Sequence, residues 1–247
     1  MLRETLRKIL PKTLKINVQL LKGEINNLRN GYSFNFVKSN NSSITYPVVL
    51  TLKQEIKTTT ARETKAKIAN LNRAVDKVGN IEINPNEIFS FWKIIGNPSK
   101  KNGYSKSISI LNGKKIDSYG GGLCQISGLI YYMCLHSGIA VLERHNHSLD
   151  LYTDDTRYTP LGSDATVVYG YKDLKIKNNY DTPIKFNLDI VDNELIIKLS
   201  TESIIKKAKI EFLKNTINNS TVEVVTKLSG KTAFRSIYKK PPIAIMA

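Results

Sequence analysis

Cysteine is scarce in this chain of 247 residues, which contains only Cys124 and Cys134. Two cysteines provide no disulfide framework, so the sequence does not require an oxidising compartment. Long apolar runs are also lacking, because no stretch approaches the roughly 20 apolar residues that a membrane-spanning helix needs. Residues 1–15 are basic and amphipathic but lack the continuous apolar core of a signal peptide. The sequence therefore predicts a cytoplasmic protein.

Acidic side chains are few: 21 Asp and Glu stand against 37 Lys and Arg, a net charge of +16. Such a charge favours an anionic partner, although it also serves simply to keep a surface solvated. The basic residues are spread along the chain and accompany no recognisable RNA- or DNA-binding motif, so nucleic acid is not predicted. Residues 1–12 carry Leu2, Leu6, Ile9 and Leu10. They predict either reversible contact with the inner membrane leaflet or docking on the protein's own body.

Composition and apolar periodicity indicate the class of fold. Hydrophobic residues make up 41% of the sequence, which is enough for a substantial core. Helical patterns dominate the first half, and short segments typical of strands follow Thr166. This order predicts a single mixed α+β domain with a β-rich C-terminal part.

Local signals set the bounds of several elements. A helix is predicted at about Leu14–Leu28, and the capping box Thr60-Ala-Arg-Glu63 opens a second helix that ends at Gly79. The aromatic run Glu87–Trp92 favours a strand, and the polar residues 97–119 favour a flap. Further strands are predicted at residues 44–50, 167–171, 174–177, 184–191, 195–200, 208–214, 221–228 and 233–238.

Three consecutive glycines, Gly120 to Gly122, precede the pattern of a third helix. This places Cys124 in the first helical turn, where free N–H groups and the helix dipole stabilise a thiolate. The same pattern is also compatible with an inert buried cysteine or an anion-binding turn. Cys134 lies on the apolar face of this helix, roughly 15 Å from Cys124 by helical rise, and is predicted to be core.

A strand is predicted next, over Ile139–Tyr152. On a strand, His145 and His147 project from one face with Cβ atoms about 7 Å apart. Cysteine on a helix and histidine on the following strand is the arrangement of papain-like thiol enzymes, and Asp164 is the nearest candidate to orient a histidine. Metal binding by Cys124, His145 and His147 is an alternative with suitable ligand types, although no Cys-x-x-Cys pair supports it.

Six motifs occur in order along the middle of the chain. They are Asn84-Pro-Asn-Glu-Ile-Phe-Ser-Phe, Gly103-Tyr104, Gly120-Gly-Gly-Leu-Cys-Gln-Ile-Ser127, Glu143-Arg-His-Asn-His-Ser148, Gly162-Ser-Asp-Ala-Thr166 and Asp173-Leu-Lys-Ile-Lys-Asn178. Together they resemble the VanW family, which includes accessory proteins of vancomycin-resistance clusters. The resemblance runs from about Ala61 to Ser200. It implies a VanW-like domain over residues 61–200, with a helical and strand segment at 1–60 packed on the core and a β-rich extension at 201–247.

The resemblance implies a link to peptidoglycan and L,D-transpeptidation through the cysteine of the family's Gly-Gly-Gly-x-Cys-Gln motif, which is Cys124 here. The family's His-Ser pair falls on His147-Ser148, which makes His147 rather than His145 the general base, with Asp164 to orient it. Backbone N–H groups around Cys124 and Gln125 are predicted to bind the oxyanion. Other residues predicted to contact substrate or to orient neighbouring groups are Gly121, Gly122, the Gln125 side chain, Ser127, Arg144 and His145.

Two hypotheses of function follow. The first is L,D-transpeptidase-like acyl transfer, or hydrolysis, on the peptide stem of a peptidoglycan precursor through a Cys124 thioester. The second is a non-catalytic accessory or binding protein for wall precursors in a resistance cluster. The missing export signal favours the second, because finished peptidoglycan lies outside the membrane. Neither hypothesis needs a cofactor.

Overall fold

A computed structural model of the protein describes residues 11–38, 44–56, 60–79, 81–111, 114–150, 157, 159–205 and 207–240. Within these ranges the chain forms four α-helices and twelve strands in four sheets. This is the mixed α+β fold that the sequence predicts. Among the helices that the structure describes, none has both the length and the apolar character to span a bilayer.

The helices are α1 (Lys12–Arg29), α2 (Ala61–Val78), α3 (Phe91–Ile95) and α4 (Leu123–Ser137), with a 3₁₀ turn at Lys100–Asn102. The strands are β1 (Val48–Glu55), β2 (Glu82–Ile83), β3 (Ile88–Ser90), β4 (Lys106–Leu111), β5 (Lys114–Tyr119), β6 (Ala140–Glu143), β7 (Lys175–Lys177), β8 (Ile184–Val191), β9 (Glu194–Thr201), β10 (Ile210–Asn218), β11 (Thr221–Leu228) and β12 (Lys231–Lys239). The sheets have the strand orders β1-β9-β8-β2, β3-β7-β6, β4-β5 and β10-β11-β12, and neighbouring strands are antiparallel.

The predicted capping box opens α2. The Thr60 hydroxyl accepts the Glu63 N–H at 3.2 Å, which satisfies one of the N–H groups left free in a first helical turn. Leu71, Ala74 and Val78 are buried along the inner face of α2, against β8. The second predicted helix is therefore confirmed from cap to buried face.

The core lies between α4 and the four-stranded sheet. The buried face of α4 includes Ile126, Ile130 and Met133, and the helix ends at Gly138, whose φ of 70° suits glycine. The helix packs on β1 and β9. Because α4 is buried almost all round, its first turn is held rigidly, and Cys124 lies in that turn.

Two predicted strands extended too far. The strand predicted over Glu87–Trp92 ends at Ser90, because the Ser90 hydroxyl accepts the Lys93 N–H at 3.2 Å and caps α3. The strand predicted over Ile139–Tyr152 ends at Glu143, after a register shift against β7. His145 and His147 therefore do not lie on a strand, and the prediction that they share a strand face is wrong.

Other differences are local. The residues predicted as a strand at 167–171 form a turn closed by the Val168–Lys172 bridge, and the Tyr171 N–H donates to the Val168 carbonyl at 2.8 Å. The predicted flap over 97–119 contains the β4–β5 hairpin. Leu2, Leu6, Ile9 and Leu10, on which the predicted membrane contact of residues 1–12 rests, lie outside the described residues. The predicted divisions near residues 60 and 200 stay predictions.

Candidate active site

The glycine turn brings the β4–β5 hairpin against the start of α4. Gly120 and Gly122 have φ of 80° and 100°, which only glycine adopts readily. A Cβ on Gly121 would lie 2.8 Å from the Ser107 Cβ and 2.9 Å from the Ile108 carbonyl oxygen, so the strand packs directly on the turn. Cys124 follows as the second residue of α4. The turn thus fixes the cysteine at a helix N-terminus.

The Cys124 thiol is half-buried and surrounded by hydrogen-bonding groups. Its Sγ lies 3.6 Å from the Thr166 Oγ1 and 3.7 Å from the Val167 carbonyl oxygen, and the His147 side chain is a close polar neighbour. Burial alone raises the pKa of this thiol. The hydrogen bond and positive charge of His147, helped by Thr166 and Val167, outweigh burial, so the pKa of Cys124 is lowered.

His147 is held by Asp164 through two contacts. Its Nδ1 lies 2.6 Å from the Asp164 Oδ2, and its backbone N–H donates to the same oxygen at 2.7 Å. This leaves Nε2 of the ring for the thiol. Burial alone lowers the pKa of His147, but the hydrogen bonds and charges of Asp164 and Cys124 raise it to about 10. The two opposite shifts, a lowered pKa for the thiol and a raised pKa for the imidazole, favour the thiolate–imidazolium pair over the neutral pair.

Asp164 is anchored in turn by two buried side chains. Its Oδ1 accepts from the Arg144 Nη2 at 2.9 Å and from the Tyr238 hydroxyl. Burial raises the pKa of the Asp164 carboxyl, but the hydrogen bond and charge of His147, with Arg144 and Tyr238, hold it well below its usual range. Asp164 is therefore an ionised acceptor that fixes the orientation of the imidazole.

Arg144 stabilises the Asp164 loop. Only 2% of its side chain is exposed, and its Nε donates to the Asp164 carbonyl at 2.7 Å. Its other contacts are the Gly162 carbonyl at 3.1 Å, the Ser236 hydroxyl, and the Tyr131 ring, whose centroid is 4.8 Å from the guanidinium carbon. This enclosed position gives Arg144 a role in positioning Asp164 and does not support contact with a substrate carboxylate.

Gln125 and Ser127 also contact the scaffold. The Gln125 side chain donates to the Glu55 carbonyl at 2.8 Å, and its backbone N–H donates to the Gly122 carbonyl at 2.9 Å. The buried Ser127 hydroxyl donates to the Ala165 carbonyl at 2.7 Å. Neither arrangement supports the predicted substrate or oxyanion contact of these two residues. The N–H group of Cys124 itself stays the predicted oxyanion donor.

His145 engages a different carboxylate from His147. Its Nε2 lies 3.0 Å from the Glu143 Oε1, while the Glu143 Oε2 accepts from Lys175 at 2.7 Å. Burial raises the pKa of Glu143, but the hydrogen bonds from His145 and Lys175 outweigh it and lower the pKa to about 2. The metal alternative required Cys124, His145 and His147 to converge. Among the described residues, no three His, Cys, Asp or Glu side chains are placed to hold a metal ion.

Three polar residues of the site were not predicted as site residues: Thr166 beside the thiol, and Ser236 and Tyr238 beside Arg144 and Asp164. Ser236 and Tyr238 lie on β12, with every second residue pointing inward. That alternation predicts a strand and its buried face, but it does not indicate what the buried hydroxyl groups contact.

Comparison with known proteins identifies the family. The family model described as VanW like protein matches residues 66–200, more than half of the chain. The chain belongs to the VanW family. The matched region includes Cys124, His147 and Asp164, whereas Tyr238 lies beyond it.

Two curated relatives are similar to this VanW-family chain. The vancomycin B-type resistance protein VanW of Enterococcus faecalis (strain ATCC 700802 / V583) is 30% identical over 130 residues, which cover 53% of this chain and 47% of that protein. The uncharacterized protein YoaR of Bacillus subtilis (strain 168) is 29% identical over 141 residues, 57% of this chain and 45% of that protein. The chain thus matches about half the length of each relative. No solved structure matches it, so the likeness to papain-like enzymes stays a prediction.

Proposed function

We propose that this VanW-family protein is a cysteine-dependent enzyme that transfers or hydrolyses the acyl group of a peptidoglycan stem peptide, as part of resistance to vancomycin. The observation that carries the chemistry is the row formed by the Cys124 thiol, the neighbouring His147 and Asp164, whose Oδ2 lies 2.6 Å from the His147 Nδ1. Such a row supplies a nucleophile, a proton carrier and an orienting carboxylate. The name of the Enterococcus relative, a vancomycin B-type resistance protein, supports the link to vancomycin resistance.

The first step is attack on an amide of the stem. The Cys124 thiolate forms a bond to the carbonyl carbon, and the carbonyl π electrons move to oxygen as an oxyanion. When the oxyanion collapses, the C–N bond breaks and the leaving amine takes a proton from the His147 imidazolium. The products of this step are a thioester on Cys124, a free amine and a neutral imidazole.

The second step resolves the thioester. An amine from another stem, or water, attacks the same carbon while its proton passes to the neutral His147. The C–S bond breaks, which restores the thiolate and the imidazolium. An amine gives a crosslinked peptide and water gives a shortened stem. The proposed substrate is a precursor stem, and the proposed place of the reaction is the cytoplasmic side of the membrane.

The surrounding residues hold the Cys124 thiolate and the His147 imidazolium in position for the reaction. Asp164 holds Nδ1 of His147, so the imidazole cannot turn away from the thiol. Arg144 and Tyr238 keep Asp164 ionised, because both donate to its Oδ1. In this proposal the positive end of α4 stabilises the thiolate and then the oxyanion, with the N–H of Cys124 as the backbone donor.

Intact-mass spectrometry with synthetic tetrapeptide and pentapeptide stems tests the proposal. The native protein is expected to gain the mass of an acyl group, and Cys124→Ala to gain none and to lose turnover by about 10⁴-fold or more. Cys134→Ala is the matched control. Cys134 is 1% exposed and its burial raises the thiol pKa, so this variant should still form the acyl-enzyme.

Two results would decide against catalysis. One is a Cys124→Ala variant that turns stems over as fast as the native protein. The other is a native protein that binds stems as tightly as Cys124→Ala does, yet forms no thioester under any condition. The second result would favour the accessory or binding role.

A further inference from the structure

The outer face of α1 carries an uncovered apolar stripe. Its members follow one another at intervals of four, three, four and three residues, which places them along one side of a helix. They are Leu14 (44% exposed), Val18 (40%), Leu21 (63%), Ile25 (44%) and Leu28 (60%). Such a continuous apolar face on a surface helix indicates a binding surface.

Contacts on the opposite face fix the helix to the protein. The Asn27 Oδ1 accepts from the buried Lys175 at 2.8 Å. Ile16 lies against Gly170, where a Cβ would be 3.2 Å from the Ile16 Cγ2. The stripe is therefore held facing outward.

Basic side chains run along one side of the stripe. Lys15, Lys22 and Arg29 recur every seven residues, and each directly follows a member of the stripe in sequence. Helical geometry places them about 60–100° around the axis from Leu14, beside the apolar row. On the other side lie Asn17 and Glu24, and Glu24 is already paired with Lys93. An apolar row bordered by a row of cations complements a surface that is anionic outside and apolar beneath.

We propose that the outer face of α1 docks on the surface of an anionic lipid bilayer, with the leucines at the acyl boundary and the cations among the headgroups. A second copy of the chain fits less well. From Leu14 to Leu28 the stripe covers only about two heptads, and an antiparallel pair would bring the two cation rows together. The proposal goes beyond the reaction at Cys124 and does not depend on it.

Co-sedimentation of the full chain with vesicles tests the stripe. Vesicles containing phosphatidylglycerol are compared with vesicles of phosphatidylcholine alone. The double variant Leu21→Gln/Leu28→Gln is expected to weaken binding to the anionic vesicles roughly 30-fold, because two exposed leucines no longer enter the bilayer. Ile217→Gln/Ile237→Gln is the matched control, since these side chains are exposed to 56% and 55% on β10 and β12. It is expected to bind like the native protein.

A second pair of variants tests the cation row. Each cation at an anionic leaflet strengthens binding roughly fivefold. The variant Lys22→Gln/Arg29→Gln is therefore expected to bind anionic vesicles roughly 25-fold more weakly than the native protein at low salt, with little difference at high salt. The control variant Lys198→Gln/Lys231→Gln removes the same charge from exposed positions on other elements. Its affinity for anionic vesicles should fall much less than that of Lys22→Gln/Arg29→Gln.

Other results would overturn the proposal. Equal binding to both kinds of vesicle, or full binding by Leu21→Gln/Leu28→Gln, would exclude α1 as the lipid contact. A native dimer in sedimentation equilibrium that the same double variant converts to monomer would assign the stripe to a second copy. All of these measurements are independent of turnover at Cys124, so failure here is distinct from failure of the proposed reaction.

Discussion

Removal of one buried hydroxyl group tests whether the C-terminal sheet helps to build the site. Tyr238 lies on β12, is 1% exposed, and donates its hydroxyl to the Asp164 Oδ1. Tyr238→Phe keeps the ring and its packing and removes only this donor. The substitution therefore isolates one hydrogen bond that joins β12 to the carboxylate behind His147.

The expected loss of stability in Tyr238→Phe follows from the negative charge of the acceptor, the Asp164 carboxylate. Hydrogen bonds to ionised groups contribute about 1.5–3 kcal/mol, because a buried charge left without a partner keeps its desolvation cost. The Arg144 Nη2 lies 3.3 Å from the Tyr238 oxygen and loses that acceptor, but it keeps Asp164 and the Gly162 carbonyl. We therefore expect Tyr238→Phe to lower the free energy of unfolding by about 1.5–3 kcal/mol at pH 7.

The loss of stability caused by Tyr238→Phe should become smaller as the pH falls. The folded-state pKa of Asp164 is depressed, so the stability it contributes is complete above its ordinary pKa of about 4 and disappears as the pH falls through the folded-state pKa. The difference between native protein and Tyr238→Phe is thus expected to be full at pH 7 and to narrow below about pH 4. Urea unfolding followed by tryptophan fluorescence at a series of pH values measures it.

Tyr104→Phe is the matched control. Tyr104 is 2% exposed, and its hydroxyl has no hydrogen-bond partner within the part of the chain that the structure describes. Removal of that hydroxyl should leave stability unchanged or increase it. A Tyr238→Phe variant that loses no more stability than Tyr104→Phe would refute the proposed hydrogen bond to Asp164.

Three further substitutions probe other parts of the site. His147→Ala should slow the alkylation of Cys124 by iodoacetamide at pH 7 by roughly tenfold or more, because an ordinary thiol is only about 3% thiolate at that pH. Peptide mass spectrometry measures the rate of alkylation, and an unchanged rate would contradict the thiolate–imidazolium pair. Lys175→Met removes the partner of a half-buried carboxylate and should cost roughly 1–3 kcal/mol in urea unfolding, whereas native stability would refute this role. Gly162→Ala should cost more than Gly230→Ala: both have positive φ, but only at Gly162 would the new methyl meet side chains, at 2.8 Å. Equal losses in urea unfolding would exclude that clash.

The local sequence by itself determined where some helices begin, because the interactions that start them involve only a few neighbouring residues. The capping box at Thr60 and Glu63 fixed the start of α2, and the three glycines before Cys124 fixed the start of α4. Hydrogen bonds of a helix cap and the conformations open to glycine are short-range properties, so they can be read without knowledge of the fold.

The ends of two strands were misjudged from the same local signals. The strand β3 stops at Ser90 because that residue caps α3, and an aromatic run does not reveal the cap. The strand β6 stops at Glu143, where its pairing with β7 shifts register. Alternation of apolar residues indicates a strand, but the extent of the neighbouring strand decides where pairing stops.

Only the tertiary structure decided how the site is assembled. Asp164 meets His147 across a loop, and Tyr238 reaches Asp164 from β12, 74 residues further along the chain. Buried polar groups take whichever partners the packed chain brings to them, and those partners are set by the whole fold rather than by neighbouring residues. For the same reason, the sequence identifies Arg144 as a motif residue, but only the structure shows that its side chain is buried and contacts Asp164.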